Sequence, residues 1–70
     1  MDAFIDEVVR RSIRHARLVL KQGSYNWPVA RLALRKILAD LEAKAPDDPS
    51  LPRLRAFIVS QDRKWLDEKP

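Results

Sequence analysis

Seventy residues with no cysteine, one histidine and a formal charge of +4 point to one small domain that neither disulfides nor thiolate zinc sites can stabilise. A core of this size is near its lower working limit, so helix packing or oligomerisation must supply the stability. The longest apolar stretches run to about four residues, as in Ala56-Phe57-Ile58-Val59, against the ~20 needed to cross a bilayer.

Asp2, Asp6 and Glu7 stand where a secretory signal would carry bases, and a mitochondrial presequence is poor in acids. A soluble, cytoplasmic protein is therefore expected. The charge is unevenly placed. Residues 1–7 hold three acids and no base, residues 8–39 hold eight Lys or Arg and no acid, and residues 40–70 hold six bases and seven acids. An asymmetry of this kind bears on partners and not on fold.

The apolar spacing predicts a first helix over residues 2–21, with Ile5, Val8, Val9, Ser12, Ala16, Val19 and Leu20 in one arc. Asp6, Glu7, Arg10, Arg14, Arg17 and Lys21 occupy the opposite side. Acids in the first turns and bases in the last suit the helix dipole. Asp6–Arg10 and Glu7–Arg11 have the spacing of ion pairs along a helix. The first turn is Gln22-Gly23-Ser24-Tyr25-Asn26, with Gly23 placed for a left-handed C-terminal residue and Asn26 for an N-cap.

A second helix is predicted over 27–45, opening on Trp27-Pro28 where a missing N–H costs nothing. Its buried stripe is Ala30, Leu34, Ile37, Leu38, Leu41 and Ala45, with Arg31, Arg35 and Glu42 pointing away. The connection Ala45-Pro46-Asp47-Asp48-Pro49-Ser50 is rich in turn formers. A third helix over 51–67 carries the stripe Leu51, Leu54, Phe57, Ile58, Gln61 and Trp65. Either Ser50 caps it, or Asp48 does so with Pro49 in the first helical position.

Three helices joined by short connections make an all-α fold, a small three-helix bundle. It runs up-down-up, or is a helical hairpin with a crossing third helix.

Catalysis finds no support in the residues. Nucleophilic chemistry needs a base within hydrogen-bond reach, and the only imidazole, His15, sits at the border of the apolar and basic faces with no motif around it. Asp47 and Asp48 are adjacent in a Pro-rich loop and read as turn residues. One glycine cannot build a phosphate-cradling loop. No enzyme, metal, cofactor or small-molecule substrate is expected.

The basic tract points to an anionic partner. Arg10, Arg14, Arg17 and Lys21 form a stripe about 16 Å long, enough to meet several phosphates of one strand. Arg31 and Arg35 on the second helix are expected to extend it. A helix-turn-helix reader fits poorly, because the presumed recognition helix would open Trp27-Pro28-Val29-Ala30 and offer little to a base edge. The expected function is a non-enzymatic module contacting a nucleic acid, DNA or RNA, through its backbone.

The alternative is a protein-interaction adaptor or regulator, with an acidic protein partner or as a homodimer. It would use Leu18 and Leu32, misplaced on polar faces, with Tyr25 and Trp27 in the first turn. Trp27 is equally well placed to close the core from below. An interfacial membrane helix ranks behind both, since the apolar stripe of the first helix is needed for the bundle.

Overall fold

Two short connections, each built from residues that resist helix, divide the chain into three rods. The computed structural model describes residues 3–68, and of Ser24 the backbone only. Helix α1 spans Ala3–Gln22, a single 3₁₀ turn covers Ser24–Asn26, α2 spans Trp27–Lys44 and α3 spans Leu51–Glu68. The expected helix start at Asp2 lies outside the described residues, as do Lys69 and Pro70.

The first connection uses its residues differently from the expectation. No glycine has a positive φ, so Gly23 is not a left-handed cap. Its N–H donates to the Leu20 carbonyl at 3.2 Å, and its own carbonyl accepts the Asn26 N–H at 3.1 Å, which tightens the last turn into 3₁₀ geometry. What Gly23 provides is room, because a Cβ there would collide with the Tyr25 ring. Asn26 stands at the N-cap position but makes no side-chain cap bond. Its Nδ2 instead donates back to the Val19 carbonyl at 3.4 Å, tying the turn to the end of α1.

In the second connection Asp48 makes the bonds expected of a cap, but Pro49 lies in the turn and not in the first helical position, since α3 begins at Leu51. The Asp48 Oδ1 accepts the Ser50 N–H at 2.9 Å, and its carbonyl accepts the Leu51 N–H at 3.2 Å. Ala45, forced out of helical geometry by the following proline, ends α2 at φ −150° and ψ 71°. Ser50, 2% exposed, does not cap α3. Its hydroxyl donates to Asp6 Oδ1 of α1 at 3.2 Å, and Arg53 reaches the same oxygen at 3.5 Å. The N-termini of α1 and α3 therefore lie side by side.

At α2 the order runs the other way. Trp27, at its start, meets Asp62 near the end of α3, and Glu42, near its end, meets Arg55 near the start of α3 at 2.8 Å. The bundle is thus up-down-up, all three helices pack on one another, and its extents are 41 × 18 × 15 Å. The core takes Ile5, Val9, Ile13 and Ala16 from α1, Trp27, Leu34 and Leu41 from α2, and Leu51, Leu54, Phe57 and Ile58 from α3. Each large side chain buried here contributes about 1.5–3 kcal/mol relative to an exposed one.

The buried arc of α1 is wider than expected and is turned towards α3. Ile13, outside the expected stripe, is buried, whereas Ser12 and Val19 are only half-buried. The cause is that α1 lies against two helices at once. Ile13 faces the α3 side, and Ser12 and Val19 face α2 across small residues. Gln61 and Trp65 are half-buried at the edge of the α3 stripe.

Asp62 couples α2 to α3. One carboxylate oxygen accepts the Trp27 indole N–H at 2.8 Å. Arg31 Nε lies 3.0 Å from the same oxygen and 3.2 Å from the other. The indole meets Phe57 edge to face, with centroids 6.3 Å apart, an arrangement favoured by the ring quadrupoles. With this bond in place, the described residues contain no buried side-chain polar atom lacking a partner.

Two substitutions test this account by chemical denaturation. Asp62→Ala leaves a buried indole N–H without an acceptor and should lower stability by about 2–3 kcal/mol. Asp62→Asn, which retains a carbonyl oxygen, should lose about half as much, and equal losses would show that the indole bond contributes nothing. Gly23→Ala should stay within about 1 kcal/mol of the parent, because the exposed Tyr25 ring swings aside. A loss of about 2 kcal/mol or more would instead show that the Tyr25 ring is held in place against the added methyl group.

Candidate nucleic-acid interface

Parallel packing of α1 and α3 places basic side chains from both helices along one furrow. Arg10, Arg14 and Arg17 recur every three or four residues on α1 and form one wall. Arg53 and Lys64 of α3 stand on the other, and Phe57, Ser60 and Gln61 lie between. The furrow is open and encloses about 680 Å³. Arg17 is held in it, with its guanidinium carbon 5.7 Å from the centre of the Phe57 ring. Such a contact orients the cation at little cost to its charge. Lys21 continues the row one turn further on, where it lines an adjoining hollow with Arg17 and Lys64.

The stripe read from the sequence is therefore gathered on one side, and the two residues expected to extend it are not. Arg31 faces α3 on the opposite flank of the bundle, half-buried and paired with Asp62. Arg35 is exposed on α2, one turn beyond Arg31, and belongs to neither wall of the furrow. The extension comes from α3 instead, through Arg53 and Lys64. Both lie in the part of the chain where acids and bases balance, so a count along the sequence does not single them out. Their spacing of eleven residues, three turns of one helix face, is the signal that was available.

Pairing also thins the basic tract. Arg11 is bonded to Glu7 at 2.9 Å, Arg10 lies 3.8 Å from Asp6, and Arg31 is held by Asp62. Arg10 and Arg11 are exposed, and pairs of that kind contribute about 0–1 kcal/mol. An incoming phosphate can therefore compete for Arg10. Arg14, Arg17 and Lys21 project into solvent from the same side of α1.

The residues of the alternative site are dispersed. Trp27 is 2% exposed and is a core residue, since its ring fills the space between α2 and α3 and its N–H is taken by Asp62. It is not an accessible anchor. Leu18, Tyr25 and Leu32 are 54%, 72% and 69% exposed. Leu32 lines the α2–α3 flank with Pro28, Trp65 and Leu66. Leu18 and Tyr25 are not part of that flank.

His15, exposed, lines an apolar groove of about 490 Å³ between α1 and α2, with Val19, Val29, Ala33 and Ile37. No Asp or Glu lines that groove, so it offers His15 no carboxylate partner. Among the described residues, no group of three or more His, Asp or Glu is placed to hold a metal ion, and no helix is long and apolar enough to cross a membrane. Compared with family models, curated proteins and solved structures, the chain matches none.

Proposed function

We propose that the protein is a non-enzymatic, cytoplasmic binding module that contacts nucleic acid through its phosphate backbone, along the furrow between α1 and α3. The observation that supports this reading is the convergence of five cations, Arg10, Arg14, Arg17, Arg53 and Lys64, from two helices on one groove. A solvated helix face needs no such match on its neighbour. The stripe from Arg10 to Lys21 rises about 16 Å, the length of several phosphate steps. Each phosphate neutralised releases condensed counterions, which makes the affinity steeply dependent on salt.

A protein partner is the second reading, favoured by the exposed Leu32 and Leu66 beside Trp65 on the α2–α3 flank. An acidic protein or a second copy of this chain would cover that flank and leave the basic furrow open. The two readings thus use different faces of the bundle, which meet at Trp65.

Oligonucleotide binding measured against salt concentration separates them. Four or five phosphate contacts predict a slope of about −3 to −4 in log K against log salt, with binding readily detected at ~50 mM. The double variant Arg14→Glu/Arg17→Glu should abolish binding while the helical circular dichroism is retained. Arg35→Glu, on the other side, should change it by less than about threefold. Equal losses from both variants would mean that net charge, and not the furrow, governs binding.

A further inference from the structure

The furrow does not end at Lys64. Arg17, Gln61 and Lys64 line it jointly with a second hollow nearer the C-terminal ends of α1 and α3, where Leu20, Lys21, Trp27, Trp65 and Glu68 complete the walls. The two hollows form one channel with a basic segment followed by an aromatic one. Trp65 is half-buried, packed at the edge of the core, and lines both this hollow and the α2–α3 flank. Glu68 offsets one of the three cations that line this hollow, Arg17, Lys21 and Lys64, so it stays basic beside its aromatic wall.

Building on the nucleic-acid reading above, we propose that the channel takes a single strand, with its phosphates between the two basic walls and one base seated against Trp65. Three arguments support this choice over a duplex. The basic side chains line a single open furrow, which can follow one backbone, whereas a duplex presents two. Its bases are also stacked and paired, and cannot turn towards an indole. A single strand exposes the face of each base, and a basic groove combined with an aromatic platform is the arrangement that binds it without sequence preference. Gln61, half-buried and shared by both segments, supplies an amide that can donate to or accept from either a sugar or a base edge.

Tryptophan fluorescence of the full chain tests this when read beside Trp65→Phe, because Trp27, although 2% exposed, also lines the hollow, and only the change lost with Trp65→Phe belongs to Trp65. An oligothymidylate of about eight nucleotides at ~50 mM salt should quench the Trp65 emission. A duplex of equal length should bind more weakly and leave the emission unchanged. Trp65→Leu should weaken single-strand binding about 5- to 100-fold and leave duplex binding unaltered. Trp65→Phe, which keeps a ring and the packing, should retain most of the affinity. Parental affinity for the single strand in a folded Trp65→Leu variant would overturn the proposal, as would equal quenching by the duplex. Absence of binding to either form at that salt would refute the phosphate-binding furrow itself, which is a separate outcome.

Discussion

The register between α2 and α3 depends on one half-buried carboxylate. Asp62 accepts the Trp27 indole N–H and pairs with Arg31, so a single side chain holds the start of α2 against the end of α3. Without that acceptor, Trp27 would bring an unsatisfied donor into the core, and the largest side chain of the bundle would have to turn outward. Because the bond is made, the indole packs edge to face with Phe57, and the Phe57 ring in turn supports the Arg17 guanidinium. The packing of α2 on α3 is in this way connected to the placement of a cation in the α1–α3 furrow.

The same carboxylate shapes the charge distribution. By engaging Arg31, Asp62 removes positive charge from the α2–α3 flank. Glu42 does likewise for Arg55, and Glu7 for Arg11. Acids that balance the formal charge are therefore spent on particular bases, three of them away from the α1–α3 side, while Asp6 engages Arg10 and Arg53 at one end of the furrow. There Arg14, Arg17, Lys21 and Lys64 are bordered by Asp6 at one end and Glu68 at the other. A modest net charge is compatible with a strongly basic groove when the neutralising acids are segregated in this way.

Much of the fold is legible from local chemistry. Pro46 and Pro49 force the second break, the 3.6-residue apolar period identifies the helices, and the short connections imply the up-down-up order. What depends on tertiary contact is less accessible. Gly23 resembles a left-handed cap because most helix-terminal glycines are one, yet its role is to leave space for Tyr25. Ser50 has the composition of a cap, but a carboxylate from a helix forty-four residues away claims its hydroxyl. Ile13 falls outside a stripe drawn for a helix with one neighbour, and α1 has two.

The candidate site shows the same division. The α1 stripe follows from periodicity within one helix and is present as a continuous row. Which other helix completes the groove depends on packing geometry, so Arg31 and Arg35 were the natural partners by sequence, whereas Arg53 and Lys64 are the partners in space. Titrating isotope-labelled protein with a short oligonucleotide, and following its backbone and arginine side-chain resonances, tests that assignment most directly. The account predicts shifts at Arg14, Arg17, Ser60, Gln61 and Lys64, with the signals of Arg31, Leu32 and Arg35 unmoved. Shifts confined to α2 would contradict it.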